Sequence, residues 1–146
     1  MIRMGFTGTR DGMTSPQRVT VTKLIQFFKP DEFHHGDCTG SDEQAHVIAR
    51  LYESIWIVAW PPVIGRYRAN CKADVIKKPM SYLARDREIS KLDMLVATPR
   101  FAHAEPRSGT WITIGYAREE ETPIFIVNPS GKLQIIGFLG MSGALI

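Results

Sequence analysis

Three small polar residues near position 108 have the types and spacing suited to holding a phosphate. Ser108, Gly109 and Thr110 open a stretch in which Thr110, Thr113 and Ala117 recur at the spacing of one helix face. A helix N-terminus presents unpaired N–H groups and a partial positive charge, and a glycine there lets an oxygen approach the backbone. The stretch therefore predicts either a phosphate seat or a plain helix cap made by the serine.

Two more loops of small residues follow predicted strands. Gly8, Thr9 and Arg10 come after an apolar segment at residues 2–7, and a second loop at 36–42 follows a short segment at 32–35. The glycines of the first loop do not match a dinucleotide fingerprint, and no P-loop lysine follows them. In the second loop the candidate ligand contacts are Gly36, Asp37, Thr39 and Gly40.

The carboxylates of the second loop admit two interpretations. Asp37 and Asp42 either bind ribose hydroxyls or act in acid–base chemistry, or they only cap the loop and the following helix. The adjacent His34 and His35 point to opposite faces of a strand, so they do not readily ligate one metal ion. We expect no metal and no cofactor.

Apolar segments alternate with helical patterns along the chain, which favours a parallel sheet covered on both faces. We predict a single Rossmann-like α/β domain over residues 1–146, with three layers and a mostly parallel sheet of about five strands. The predicted strands lie at 2–7, 32–35, 55–60, 92–98 and 123–127, with 132–138 as a candidate edge strand. A long loop at 61–80 and a C-terminal tail at 129–146 complete the chain.

Charge is concentrated in one region. The formal net charge of +3 is too small to indicate nucleic-acid binding by itself, but between positions 66 and 87 seven basic residues accompany two acidic ones. This basic lobe indicates either a small anionic ligand or a solvated loop. Because the loop at 61–80 is long, it suggests either a lid that carries Arg66, Tyr67 or Arg68 onto a phosphate or base, or a disordered or partner-facing loop.

Composition also bears on location and assembly. The two cysteines, Cys38 and Cys71, form no metal spacing and no disulfide framework, which favours a reducing cytoplasm. No segment predicts a signal peptide or a membrane span. The apolar tail at 135–146 is predicted either to pack on a partner chain in a homodimer or to close the core of its own protomer.

Five motifs together resemble the SLOG superfamily. They lie at residues 5–10, 35–42, 84–88, 93–99 and 107–118. The superfamily gathers Rossmann-like LONELY GUY phosphoribohydrolases, Smf-type DNA-processing proteins and nucleotide-sensing domains. The resemblance runs from residue 2 to about residue 128, and it is closest to small SLOG proteins of bacteria and phages.

The resemblance implies roles for single residues. The LONELY GUY motif P-G-G-x-G-T-x-x-E places its phosphate-binding Gly-Thr on Gly109 and Thr110, but its catalytic glutamate falls on Thr113. The arginine of that family's preceding helix has counterparts in Arg85 or Arg87, and Arg85 is expected to neutralise phosphate charge. Without the glutamate, N-glycosidic cleavage needs another carboxylate. The candidates are Asp37, Asp42 and Glu88.

The resulting hypothesis is a protein that binds a nucleotide or nucleotide-derived signal at the C-terminal ends of its strands and senses or sequesters it. Hydrolysis of an N-glycosidic bond in nucleoside phosphates or ADP-ribose-like molecules is the alternative. Single-stranded nucleic-acid binding, with Tyr67 and Trp111 stacking on bases, is a third class. Under the first hypothesis neither nucleic acid nor a membrane is expected as a partner. The predicted ligand contacts are Gly8, Thr9, Arg10, Gly36, Asp37, Thr39, Gly40, Arg85, Ser108, Gly109 and Thr110.

Overall fold

A computed structural model of the chain describes residues 1–137. Residues 138–146, and with them most of the apolar tail, lie outside the described residues, so the role of that tail stays a prediction. In chain order the elements are β1 Arg3–Gly8, α1 Ser15–Phe28, β2 Glu32–His35, α2 Ser41–Arg50, β3 Trp56–Ala59, β4 Val75–Ile76, α3 Tyr82–Ser90, β5 Met94–Thr98, α4 Gly109–Glu119, β6 Ile124–Val127 and β7 Leu133–Ile136. None of the helices within residues 1–137 combines the length and the apolar character needed to cross a membrane.

The seven strands form one sheet in the order β4-β3-β2-β1-β5-β6-β7. The first six strands are parallel, and β7 runs antiparallel to β6. This confirms the Rossmann-like α/β fold, although the sheet has seven strands rather than about five. The two additional strands lie at the edges of the sheet. Strand β4 is only two residues long and lies within the predicted long loop, so it is too short to show a periodic pattern. Strand β7 is the candidate edge strand, and it follows a turn at 128–131.

Side chains of the central strands alternate between two hydrophobic layers. In β5, Met94 and Val96 pack in the layer that contains α1 and α2, whereas Leu95 and Ala97 pack in the layer that contains α3 and α4. A strand covered on both faces needs apolar residues at every position, which explains the uninterrupted apolar run in its sequence. The three-layer architecture follows from this alternation.

Two contacts fix helices against the rest of the fold, one at α3 beside the cleft described below and one at the start of α1. At Gly5 of β1 a Cβ atom would lie 2.7 Å from the carbonyl oxygen of Ile89, so the missing side chain lets α3 pack directly on the central strand. A capping box is present at the start of α1, because Thr14 and Gln17 each accept a hydrogen bond from the other's backbone N–H. The capping box is local in the sequence, whereas the close approach at Gly5 joins segments that are distant in the chain.

Candidate functional site

A cleft opens where the strand order of the sheet reverses. From β1 the chain moves outward through β2, β3 and β4, and then it returns to place β5 on the other side of β1. In open α/β sheets such a point leaves a crevice at the carboxyl ends of the strands. Here the crevice has a volume of about 900 Å³ and is lined by the loops after β1, β2 and β5 and by α3 and α4.

Most of the predicted contact residues meet in this cleft. The eight that line it are Gly8, Thr9, Arg10, Gly36, Arg85, Ser108, Gly109 and Thr110. Asp37, Thr39 and Gly40 are not among the lining residues. Of the three candidate catalytic carboxylates, only Asp42 lines the cleft, whereas Asp37 and Glu88 do not.

The N-terminus of α4 forms one wall of the cleft. Ser108 does cap the helix, since its Oγ accepts a hydrogen bond from the N–H of Trp111 at 3.4 Å. The N–H groups of Gly109 and Thr110 have no acceptor among the described residues. A Cβ atom on Gly109 would have no atom within 4 Å, and both residues line the cleft. The cap and the phosphate seat are therefore compatible.

Three arginines lie at the rim of the cleft, and they differ in whether a carboxylate pairs with them. Arg100 is neutralised by Asp11 at 3.4 Å and by Glu105 at 3.0 Å. Arg107 and Arg10, in contrast, have no ion-pair partner within residues 1–137. An exposed arginine without a carboxylate partner remains available to an anionic ligand.

Arg10 is held by aromatic rings rather than by a carboxylate. Its guanidinium carbon lies 4.2 Å from the ring centre of Tyr67 and 5.3 Å from that of Tyr82. Such contacts keep the cation in place without cancelling its charge. Tyr67 is thus tied to the cleft rim.

Arg85 forms the floor of the cleft and is largely engaged with the protein itself. Its Nε donates to Asp86 at 2.8 Å, and its Nη1 donates to the carbonyl oxygens of Gly36 at 2.6 Å and Trp60 at 3.1 Å. A Cβ atom at Gly36 would overlap Nη1, so only glycine admits the guanidinium here. A two-nitrogen contact of Arg85 with phosphate would break one of these bonds, which leaves only Nη2 free to face a ligand.

Two buried carboxylates flank this arginine. Asp42 and Asp86 are each 7% exposed, and both line the cleft. Burial raises the pKa of Asp42 to about 6, although Arg85 and the Cys38 N–H oppose the shift. Burial also raises the pKa of Asp86, again against the attraction of Arg85. Carboxyl groups with raised pKa values in a cleft are characteristic of functional sites.

Asp37 does not line the cleft, and it holds the loop at 66–74 by hydrogen bonds. It is 1% exposed and has a left-handed backbone with φ of 54°. Its carboxylate accepts hydrogen bonds from Arg68 Nε at 3.1 Å and from the N–H of Cys71 at 2.8 Å, and its carbonyl accepts from the N–H of Ala69. Arg68 therefore points at Asp37 and not at the cleft, which does not fit a lid that carries Arg68 onto a ligand.

We expect Asp37→Asn to loosen the loop at 66–74 while leaving ligand binding in the cleft intact. Asparagine tolerates the positive φ, but it replaces a charge-assisted acceptor by a neutral one, at a cost of about 1–3 kcal/mol. Trypsin should cleave after Arg66 and Arg68 several times faster than in the wild type. Asp93→Asn is the control, because Asp93 pairs with Arg3 on the surface. Loss of ligand binding with an unchanged cleavage rate would contradict this role.

His35 belongs to a buried hydrogen-bond chain. Its Nδ1 accepts from the N–H of Asp37 at 2.9 Å, so the proton is on Nε2, which donates to His46 Nδ1 at 3.0 Å. Burial and the neighbouring His46 lower the pKa of His35 to about 3. Cys71 completes a group whose ligand atoms lie within 4.8 Å of one another. A metal ion on Nε2 would displace this proton while Nδ1 stays an acceptor, so the arrangement does not suit a metal.

Several cleft residues lie outside the sequence-based prediction, notably Asp86, Tyr82 and Cys38. One signal for the first two was present: Tyr82, Asp86 and Ile89 share one helix face, and Ile89 is buried against the sheet. An acid on the same face as a core residue must also turn inward. No comparable local signal marks Cys38.

No protein-family model matches the chain, and no curated protein sequence matches it. Among solved structures, the fold is similar to that of DNA processing protein A (DprA) from Streptococcus pneumoniae, with a TM-score of 0.60 over 86% of this chain and 20% sequence identity. The chain spans 50% of the length of that structure. The comparison gives no support to the expectation that nucleic acid is not a partner. It does show that the chain shares a Rossmann-like fold with that structure.

Proposed function

We propose that the protein binds a nucleotide or nucleotide-derived molecule, with a phosphate at the N-terminus of α4. The observation that carries this proposal is that the N–H groups of Gly109 and Thr110 are without an acceptor among the described residues, at a helix N-terminus that lines the cleft. Helix N-termini favour anions because the N–H groups and the helix dipole act together. Arg107 and Arg10 at the rim add positive charge.

Binding without turnover is the first form of this proposal. Thr113 stands where the related motif has its catalytic glutamate, and its hydroxyl donates to the carbonyl oxygen of Gly109 at 2.8 Å. It therefore supports the helix turn beneath the phosphate seat. A cleft of about 900 Å³ lies in the range of small-molecule sites and can enclose a nucleotide. Sensing or sequestering a nucleotide signal would use such a site.

Hydrolysis of an N-glycosidic bond is the second candidate, and one observation favours it. Asp42 lines the cleft with a pKa raised to about 6, which suits a group that exchanges protons near neutral pH. Conversion of the bound nucleotide by the wild type, lost in Asp42→Asn, would support this candidate over simple binding.

Nucleic acid is the third candidate. The stack of Arg10 with Tyr67 and Tyr82, extended by Arg66 at 5.3 Å from the Tyr67 ring, combines cations with aromatic faces that bases can stack on. If phosphates drive such binding, affinity for single-stranded DNA should fall steeply with salt. The same salt titration with a mononucleotide should show a much weaker dependence.

The proposal extends to the setting of the protein. We place it with the small SLOG proteins of bacteria and phages, as a homodimer in the cytoplasm. The free thiols of Cys38 and Cys71 are compatible with a reducing compartment.

The first experiment is to denature the purified protein and identify any released small molecule by mass spectrometry. A calorimetric panel of AMP, ADP, ATP, ADP-ribose and inorganic pyrophosphate accompanies it. An intact nucleotide in the released material, or binding of a panel member, supports the proposal. If no molecule is released and none of the five compounds binds, the proposal fails.

Gly109→Asp is expected to lower nucleotide affinity at least 100-fold without harming the fold. The new side chain meets no protein atom within 4 Å at its Cβ, and a carboxylate at a helix N-terminus stabilises by about 0.3–1 kcal/mol. It would nevertheless occupy and neutralise the phosphate seat. Gly115→Ala, further along α4 and also in open space, is the control: stability should rise by about 0.5–1 kcal/mol with unchanged affinity. Wild-type affinity in Gly109→Asp would place the phosphate elsewhere.

A further inference from the structure

The floor of the cleft carries three charged residues that are almost fully buried. Arg85 is 6% exposed and lies between Asp42 and Asp86, which are each 7% exposed. The arginine forms its direct ion pair with Asp86, from Nε to Oδ1 at 2.8 Å. Asp42 faces the same guanidinium across Gly36, since a Cβ atom there would touch the guanidinium and lie 3.0 Å from Asp42 Oδ2. Asp86 is thus ion-paired with Arg85, whereas Asp42 lies near the guanidinium without a direct ion pair.

The side chains of Asp42 and Arg85 each keep one group without a strong partner. Oδ2 of Asp42 accepts the N–H of Cys38 at 3.2 Å, but Oδ1 accepts no hydrogen bond from the residues in the range 1–137. Nη2 of Arg85 meets only the Cys38 sulfur, a weak acceptor, at 3.9 Å. Both residues line the cleft. Two nearly buried residues that line one cleft therefore have, respectively, an acceptor and a donor left for a ligand.

The chemistry of this pair restricts what it can bind. A phosphate would accept from Arg85 but would be repelled by Asp42, and an amine would suit Asp42 but would be repelled by Arg85. A hydroxyl is neutral and both donates and accepts. Two neighbouring hydroxyls satisfy both groups at once, because one donates to the carboxylate while the other accepts from the guanidinium.

We propose that Asp42 Oδ1 and Arg85 Nη2 bind the vicinal 2′- and 3′-hydroxyls of a ribose, so that the cleft selects ribonucleotides over deoxyribonucleotides. This inference rests on the proposed function and adds the class of sugar. It also orders the ligand along the cleft, with the phosphate at Gly109 and Thr110 and the ribose on the floor. The aromatic rim at Tyr82 is then left for the base.

The test compares sugars that differ by one hydroxyl and carry no base. Ribose 5-phosphate, 2-deoxyribose 5-phosphate and inorganic pyrophosphate are titrated at pH 8 by NMR, with AMP and 2′-deoxy-AMP as a second pair. A hydrogen bond to a charged group corresponds to roughly tenfold to hundredfold in affinity, so the wild type should prefer each ribose compound by about tenfold or more. Pyrophosphate reports on the phosphate seat alone.

Asp42→Asn keeps the size of the side chain and its acceptor for the Cys38 N–H, but it turns an amide NH₂ towards the ligand. The amide can still meet a hydroxyl, but it replaces a charge-assisted hydrogen bond by a neutral one. We therefore expect the preference for ribose to fall by about fivefold or more, with pyrophosphate affinity equal or higher. Asp11→Asn is the matched control, because Asp11 lines the same cleft at its exposed rim and loses the same charge. The control should keep the full preference for ribose.

The outcomes separate the two proposals. If pyrophosphate binds but the wild type holds both sugars equally, the ribose assignment is overturned and the phosphate seat stands. A ribose preference that persists in Asp42→Asn likewise overturns the assignment to this residue. If neither pyrophosphate nor any sugar phosphate binds, the proposed function fails and the ribose site fails with it.

Discussion

Replacing Arg85 by methionine is expected to destabilise the protein by about 3–5 kcal/mol. The change leaves Asp86 as a buried carboxylate without its ion pair, and it removes the donor for the carbonyl oxygens of Gly36 and Trp60. Asp42 would also lose the only positive charge that opposes its burial among the causes of its shifted pKa. Removing one partner of a buried pair costs more than the pair itself contributes, because the other charge stays buried.

Arg87→Met provides the control for this measurement. Arg87 lies two residues further along α3, where its guanidinium covers the ring of Tyr116 at 3.9 Å and approaches Glu119 at 3.6 Å on the surface. Exposed pairs of this kind contribute about 0–1 kcal/mol. Urea unfolding should therefore separate the two variants clearly. A cost below about 1 kcal/mol for Arg85→Met would show that water can replace Arg85 as the partner of Asp86 and of the two carbonyl oxygens.

The double variant Arg85→Met with Asp86→Leu sharpens the interpretation. If the cost of the single variant comes from an uncompensated Asp86, removing that charge should return part of the lost stability, about 1–3 kcal/mol. If the cost comes from the carbonyl oxygens of Gly36 and Trp60, the second substitution should return little. The cycle thus distinguishes charge burial from lost backbone hydrogen bonds.

The fold could be predicted because its signals are local. The apolar run of β5 and the capping box of Thr14 and Gln17 are each contained in a few neighbouring residues. Placing Gly8, Gly36 and Gly109 in one cleft needed one further rule, that parallel strands end at the same edge of a sheet. The architecture and the approximate position of the site follow from these signals.

The roles of single charged residues in the site could not be predicted in the same way. Asp37 and Arg68 are 31 residues apart in the sequence. Nothing in the residues around Asp37 indicates that its carboxylate binds the loop at 66–74. Arg85 reaches a carbonyl 49 residues away, which depends on how closely α3 approaches Gly36. The spacing of apolar residues and the residue types in turns predict which face of an element a residue occupies. They do not predict which distant group its side chain will contact. Of the two aspartates in the second loop, Asp37 was the predicted ligand contact, yet it is Asp42 that lines the cleft.

His35 and Asp42, both buried, have opposite effects on how the free energy of unfolding changes with pH. The pKa of His35 is lowered from 6.5 to about 3, so its contribution is full above pH 6.5 and is lost as pH falls towards 3, by about 5 kcal/mol in total. The pKa of Asp42 is raised from 3.8 to about 6, so its contribution is full below pH 3.8 and is lost as pH rises through 6. Between pH 4 and 6 the two slopes, each about 1.4 kcal/mol per pH unit, nearly cancel.

Asp42→Asn is therefore expected to stabilise the protein at neutral pH. A carboxyl pKa of about 6 instead of 3.8 corresponds to about 3 kcal/mol against the charged form, and asparagine resembles the neutral form. The difference in unfolding free energy between variant and wild type should be up to about 3 kcal/mol at pH 8 and should shrink to near zero at pH 4. Urea unfolding across this range, with the exposed Asp11→Asn as control, measures the difference directly.

Taking the difference between variant and wild type removes the contributions of titrating groups that do not interact with Asp42, so its slope reports Asp42 together with the groups coupled to it, Asp86 among them. A variant that is less stable than the wild type at pH 8 would mean that the carboxylate holds the cleft floor together. A variant that is more stable, and that has lost its preference for ribose, would mean that the chain keeps a destabilising charge because its ligand needs it. Residues that are costly to the fold and useful to a ligand are what a binding site is expected to contain.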